Sequence, residues 1–419
     1  MHNADMKHGA GKSIAFIIYE YGLGNSPSLI NAAKYLVTKG FCVDFFTCGT
    51  FLGNAHFDDS RIQIHNISDI NKPSPAKGIL SKIKWALYCR IKNFLRLLPW
   101  KTQLNIEENN IDKSIRYFIK YIRTIMGVTK YRCLIGVEPL GMMAAYQLSL
   151  QTVTPFAYYN MELHLESDRV TPNDFIVKEI EKKFHKFALF TIVQDIERGR
   201  LISKENGIRE DSIIPVPVCA EGEPFKVKTS NLRDRFRLAA DIRIIIYAGF
   251  IADWAMCVEI AESAQSWPEN WVLIFHTHGY NNENYIKKVR RFESSKVLFS
   301  LSPVPYEELP AFLASADIGI ALYRDLGANF TLIRSASGKL AHYLKSGLPV
   351  VVNSYPGVSN MVDQYRCGIP INHVNQLQEA INKIFENYQQ MHYGAYLCYE
   401  DNYRLSRYFS KVVERIELQ

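Results

Sequence analysis

Apolar runs of strand length alternate with amphipathic segments of helical period along most of this chain. Residues 13–19 (SIAFIIY) form a near-continuous apolar run, residues 28–39 carry a helical period that stops at Gly40, and residues 41–47 (FCVDFFT) are apolar again. A glycine just past the last helical turn is a common stop signal. The pattern returns as a strand over 132–137, a helix over 141–150, a strand over 155–159, a helix over 175–187 and a strand over 188–194. Strands that are apolar on both faces and joined by helices predict a parallel sheet covered on both sides.

Around residues 213–225 the texture changes to IIPVPVCAEGEPF, with three prolines, which reads as an interdomain linker. The alternation then restarts. Strands are expected over 242–247, 271–276, 297–300, 318–322 and 350–353, with helices over 255–266, 284–292, 306–314 and 338–346 between them. Two successive doubly wound α/β halves predict a bilobed protein with a cleft between its lobes. No short-period repeat is visible, which argues against solenoids and propellers.

Composition agrees with two packed domains: 419 residues, 47% hydrophobic and 22% charged, exceed what one core usually holds. The eight cysteines lie apart with no CxxC pair, so neither a disulfide framework nor a zinc knuckle is written, as suits a reducing cytosol. Residues 1–12 are polar and read as a frayed terminus rather than a signal peptide. The charge-free stretch 139–161 has spanning length, but Gln147, Gln151, Thr152, Thr154, Pro155 and Asn160 interrupt it, so no transmembrane helix is expected.

The net charge of +7 is concentrated. Residues 77–101 (KGILSKIKWALYCRIKNFLRLLPWK) hold seven cations and no acid. At helical spacing Leu80, Ile83, Leu87, Ile91, Phe94 and Leu98 form one stripe, with Lys82, Lys92, Arg96 and Trp85 opposite. An all-basic polar face suits the surface of an anionic membrane, with Lys82, Trp85, Arg90, Lys92, Arg96 and Trp100 as the contacting residues. The competing reading is a basic surface helix packed on its own domain or docking a partner.

Candidate chemistry is densest at residues 335–352 (SASGKLAHYLKSGLPVVV), where small residues precede a helix and then a buried strand. A helix N-terminus offers unsatisfied N–H groups and a positive dipole end, so phosphate can sit there. Ser337, Gly338 and Lys339 occupy that end, and His342 falls one turn on along the same side. Plain capping is the alternative. Other signals are weaker. His276-x-His278 has no acid or cysteine at ligand spacing, so no metal is expected there, and His278 fits a donor cleft better. Gly22-x-Gly24 lacks its third glycine, since Pro27 stands in that place, and Asp44 sits mid-strand, against a dinucleotide site. The C-terminal NYRLSRYFSKVVERI reads as a last helix crossing back to the first domain, and no nucleic-acid signature is present.

The stretch SASGKLAHYLKSGLPVV resembles the donor-site helix of GT-B glycosyltransferases, in particular retaining family 4-like enzymes. LIFHTHGY, VLFSLSPVPYEELPAFLASADIGIALY and VQDIERGRLISKENGIREDSIIPVPVCAEGEPF resemble further segments in the family's order, so the likeness covers most of residues 155–375. It implies a GT-B fold: two Rossmann-like doubly wound domains facing a cleft, with a C-terminal helix crossing back. The implied domains are an acceptor domain over 1–220 carrying the insert 77–101, a donor domain over 221–395 and a returning helix over 396–419.

In site terms the likeness implies that Gly249 and Phe250 pass close to the donor diphosphate, that Ser337 and Lys339 bind its phosphates, and that the loop from Ser302 to Val304 holds the base. Asn329 would lie near the donor sugar, Gly22 and Gly24 would approach diphosphate and acceptor, and Glu162 or His164 would face the reacting centre. Two departures stand out. The family's ribose-binding Glu falls at His342 and its partner acid at Arg334, and Ile251, Ala252, Asp253 and Trp254 stand where a basic residue usually follows the glycine loop. The function implied is transfer of a sugar from a nucleotide-sugar to a glycan or lipid-linked acceptor, with retention and without a metal cofactor, in polysaccharide or lipopolysaccharide synthesis on the cytoplasmic side of a membrane. A nucleotide-sugar epimerase of the same fold, or a non-catalytic binding protein, are the alternatives.

Overall fold

The computed structural model describes residues 12–19, 22–23, 26–48, 57–67, 99–277 and 282–419. The chain divides into two compact units, Met1–Val216 with Tyr408–Gln419, and Pro217–Arg407. The first contains the strands β1 (Ser13–Ile18), β2 (Cys42–Thr47), β3 (Ile62–Asn66), β4 (Tyr131–Val137), β5 (Phe156–Tyr159), β6 (Thr191–Val193) and β7 (Ile213–Pro215). They form one parallel sheet in the order β3-β2-β1-β4-β5-β6-β7. The second contains β8 (Arg243–Ala248), β9 (Trp271–His276), β10 (Val297–Ser300), β11 (Ile318–Ala321), β12 (Val350–Asn353) and β13 (Gly368–Ile371). These are also all parallel, in the order β10-β9-β8-β11-β12-β13. Each sheet therefore reverses its strand order once, between β1 and β4 and between β8 and β11.

The expected alternation is present, with three edge strands added. β3, β7 and β13 do not read as strands in the sequence, and Ile213–Pro215, expected to begin the linker, is instead the last strand of the first sheet. The 27-residue helix Trp100–Met126 is likewise an addition. Trp100 opens that helix behind Pro99 rather than closing the cationic stretch, while Lys82, Trp85, Arg90, Lys92 and Arg96 lie outside the described residues. The chain rejoins the first unit at Tyr408: Phe409 meets Tyr35 edge-on at 5.8 Å, and Arg132 donates to the carbonyls of Ile416 and Glu417. Tyr396, Tyr399 and Tyr403 pack in the second unit, where Tyr399 donates to the carbonyls of Ala220 and Gly222.

Packing is close where the helix Glu138–Thr152 crosses β1 and β4. A Cβ on Gly141 would stand 2.5 Å from the carbonyl oxygen of Ile17, and one on Gly136 2.5 Å from the Cα of Met142. In the second unit Gly319 of β11 plays the same part, since the ring of Tyr343 lies 2.5 Å from where its Cβ would be. Gly141→Ala should therefore destabilise the protein by about 3 kcal/mol, the upper part of the overpacking range, because the obstructing atom is backbone. Gly338→Ala, which meets only a Val218 methyl at 3.5 Å, should cost nothing and gain helix propensity. Denaturant midpoints of the two variants read the contrast.

Candidate functional site

In the second unit the helix Gly338–Lys345 is capped by Ser337, whose Oγ accepts from the Leu340 N–H at 3.4 Å and pairs with the Tyr323 hydroxyl at 2.7 Å. The hydroxyl proposed to meet phosphate is thus already engaged in holding the helix start. Lys339 is different. Its Nζ lies 4.7, 5.1 and 4.6 Å from the ring centres of Tyr247, Trp254 and Tyr323, and donates to the Tyr247 hydroxyl at 3.1 Å. Three aromatic faces can hold an ammonium without neutralising it, and among the described residues Lys339 makes no ion pair with a carboxylate. Gly249 (φ +152°) lies against this side chain, for a Cβ there would sit 3.3 Å from Lys339 Cδ.

The ring cage is continued by Phe250, stacked on Trp254 at 6.3 Å, and by Phe330, tilted against it at 5.9 Å. Arg324, after β11, is drawn away from a ligand role by Glu259 at 2.5 Å and Asp253 at 3.2 Å. Trp254 therefore stands where a basic residue follows the glycine loop in similar enzymes, and the nearby arginine is neutralised.

His342 and Lys339 do not share neighbours. The imidazole is 8% exposed and meets the Tyr306 ring edge-on at 5.4 Å. Its Nδ1 has no hydrogen-bond partner among the described residues. Burial, helped by nearby Lys345, pushes its pKa down to about 4, so the ring is neutral and its free nitrogen can accept. Arg334, at the second departed position, donates to Asn402 at 2.9 Å. Asn329 lies half-buried in the short helix Ala328–Thr331, and Ser302 and Val304 lie in the loop after β10, Ser302 exposed and Val304 half-buried. His276 is buried, bonded through Nδ1 to Ser300 Oγ at 3.0 Å; His278 and Gly24 lie outside the described residues.

In the first unit a residue not singled out by the sequence is the hub. Glu138 opens the helix Glu138–Thr152 with φ +60°, a left-handed conformation that costs a non-glycine residue about 1 kcal/mol or more. Its buried Oε1 accepts from the Met161 N–H at 2.5 Å and the Glu162 N–H at 3.1 Å, and its Oε2 pairs with His164 Nε2 at 2.8 Å. Burial disfavours the charged ring of His164. The Glu138 hydrogen bond and charge, with Glu181 and Glu162 behind it, outweigh that and leave its pKa above the ordinary imidazole value. Glu162 itself is exposed, so the structure brings His164 and Glu138 together and leaves Glu162 on the rim. Gly22 is half-buried ahead of the helix Pro27–Thr38, and Asp44 serves the core, bonded to His65 and the Tyr131 hydroxyl at 2.8 Å each. Among the described residues no group of three or more His, Cys, Asp or Glu could hold a metal ion, and no helix is long and apolar enough to cross a membrane.

Residues 293–395 match the family described as "Glucosyltransferase 3-like, C-terminal domain". Three solved structures share the whole architecture at low identity. A sucrose-phosphate synthase from Thermosynechococcus elongatus superposes with TM-score 0.66 and 15% identity, covering 96% of this chain and 98% of its own. Anabaena HepE in complex with UDP gives 0.65 and 14%, covering 97% and 100%. An α,α-trehalose 6-phosphate synthase from Burkholderia multivorans gives 0.63 and 11%, covering 98% and 97%. No curated protein matches the sequence. These likenesses show the fold, the GT-B architecture of two doubly wound units, and the matched segment resembles the C-terminal domain of a glucosyltransferase.

The buried imidazoles make stability pH-dependent. His342 and His185, the latter bonded to Thr191 and Asn206, have folded pKa values of about 4, below the ordinary 6.5. The unfolded chain takes up protons there that the native state refuses, so their contribution is complete above about pH 6.5 and lost as pH falls toward 4. Each accounts for up to roughly 3 kcal/mol. Urea midpoints at pH 7 and 4.5 should fall steeply in the wild type and less in His342→Leu; an equal fall in both would contradict a buried neutral His342.

Proposed function

We propose that this protein transfers a sugar from a nucleoside diphosphate sugar to a hydroxyl of a glycan or lipid-linked acceptor, with retention, on the cytoplasmic face of a membrane. The observation that carries the reading is Lys339: a cation in the first turn of a helix, beside a glycine, held by three rings rather than by a carboxylate. Such an ammonium and the helix amides can neutralise charge developing on a departing diphosphate, and the reading assigns that task to the chain's own groups rather than to a metal. The orphan Nδ1 of His342 suits a ribose hydroxyl. HepE, which shares the fold, is bound to UDP in one solved structure and to UDP-glucose in another, which makes UDP the first nucleotide to test. In the step itself the bond from the anomeric carbon to phosphate oxygen breaks, the bond to the acceptor oxygen forms, and the acceptor proton passes to the departing phosphate.

Lys339→Ala should abolish the rise in melting temperature caused by UDP and lower transfer from UDP-glucose at least 100-fold, as loss of one charge-stabilising donor does. Turnover within tenfold of wild type would remove Lys339 from this role. UDP binding without sugar release would favour a binding protein, and an altered nucleotide-sugar formed without acceptor would favour an epimerase.

The membrane part of the reading rests on the seven cations and absent acids of residues 77–101. Each cation near an anionic surface contributes about 1 kcal/mol. Replacing Lys82, Lys92 and Arg96 by Gln should therefore weaken flotation with phosphatidylserine vesicles about 100-fold. Flotation insensitive to both the substitutions and salt would refute it.

A further inference from the structure

In a parallel sheet each connecting helix runs back against the strands and ends at the edge where the strands begin. The helices Trp100–Met126, Glu138–Thr152 and Pro172–His185 therefore finish side by side, just ahead of β4, β5 and β6. Glu138, which follows β4, stands at the other edge of the sheet. Three contacts join the helix ends. Arg123 donates to the Gln151 carbonyl at 3.1 Å, Phe187 stacks on Tyr146 at 4.9 Å, and the Leu189 N–H donates to the Phe156 carbonyl at 2.9 Å.

The joined ends present apolar side chains to solvent. Ile125, Val128, Leu150, Val153 and Phe187 are all exposed, Val128 by 99% and Val153 by 92%. Single exposed apolar residues are ordinary, but five along one edge of one unit make a patch, and patches mark interaction surfaces. Val153 supplies a second sign. Its φ of +53° is left-handed, which costs a β-branched residue more than the glycine or asparagine that usually ends a helix this way. Burial does not offset that cost, because the side chain stands in solvent.

Charge selects the partner. Lys120, Arg123, Lys130, Lys183 and Lys186 lie on the same helix ends, exposed and, among the described residues, without an ion pair to a carboxylate. Residues 113–137, 139–161 and 182–194 contain no acid. Glu210 and Asp211, ahead of β7 on this edge, are engaged by Arg200 and Arg209. The helix dipole accounts for Arg123 and Lys183 in last turns, but not for the apolar side chains beside them. A second copy of this face, or the seven-cation stretch 77–101, would bring like charge against it. An anionic bilayer suits both features, since apolar tips enter among acyl chains while cations meet phosphates at the headgroup level.

We propose that this edge of the first unit seats an anionic lipid surface, with Val128, Leu150, Val153 and Phe187 inserting and Lys120, Lys130 and Lys186 meeting headgroup phosphates. It extends the membrane part of the reading above, and rests on that part, through residues separate from 77–101.

The test uses the full-length protein and flotation with vesicles of phosphatidylcholine, alone or mixed with phosphatidylserine. Wild type should float with the mixed vesicles, and less as salt rises. Leu150→Gln, Val153→Asn and Phe187→Ser together should weaken flotation about 100-fold, at high salt as at low. Lys120→Gln, Lys130→Gln and Lys186→Gln together should weaken it about 100-fold at low salt, an effect that fades as salt rises. Every replaced side chain is exposed, so both variants should melt no lower than wild type, which shows that they fold. Flotation unchanged in the apolar variant would overturn the proposal. Loss in the charge variant alone would do the same, leaving a plain polyanion surface. Self-association of the wild type that the apolar variant abolishes would assign the face to a second copy and overturn it likewise. If only the Lys82, Lys92 and Arg96 substitutions abolish flotation, this edge fails and the membrane reading stands. A wild type that ignores anionic vesicles would overturn the membrane reading itself and this proposal with it.

Discussion

Reversal of strand order is the constraint on which the chemistry of both units depends. In a parallel sheet every connection must climb over one face or the other, and only where the order reverses do neighbouring loops part toward opposite faces and leave their strand ends uncovered. In the first sheet that happens between β1 and β4, whose next residues are Tyr19 and Glu138. In the second it happens between β8 and β11, followed by Gly249 and by Leu322 and Tyr323. The Glu138–His164 couple and the Lys339 cage are thus in equivalent places, each in its own unit.

Close packing then fixes the polar groups within ångströms. The helix Glu138–Thr152 can lie on β1 and β4 only because Gly136 and Gly141 carry no Cβ. That contact sets where the helix starts and so where Glu138 must turn. In the second unit the Tyr343 ring fills the space left by Gly319, and its hydroxyl accepts from the Ala248 N–H at 2.6 Å, at the end of β8. One residue further along, Gly249 meets the stem of Lys339. Strand end, glycine and lysine are held as one packed unit, and the cation needs no carboxylate to locate it.

What was legible in the sequence follows from the same physics. β9 and β12 occupy 271–276 and 350–353 as expected because central, apolar strands announce themselves. The three strands not expected, β3, β7 and β13, are all at sheet edges: IQIHN is half polar, and β7 and β13 carry Pro215 and Pro370. Edge strands tolerate proline and polar residues since one side of their backbone goes unpaired. The roles of Ser337 and Lys339 could be suspected from a local motif. The cage could not, because Tyr247, Trp254 and Tyr323 come from three separate segments, and Glu138 meets its loop across 23 to 26 residues.

The two clusters differ in sign, and that difference explains the departures from the family pattern better than loss of function does. The first unit gathers carboxylates around one imidazole, whereas the second presents an ammonium among neutral rings. A carboxylate at position 342, one turn from Lys339, would place a second charge in a site where His342 is 8% exposed. Such a group would need a partner of its own, and the cation that acts on this position is Lys345. The neutral imidazole instead keeps a hydrogen-bond acceptor in place without bringing a charge into the site. Arg324, which could have served as a second cation, is cancelled by Asp253 and Glu259. Lys339 therefore presents its charge in a shell of low polarity, where a cation acts more strongly on a phosphate than it would in water.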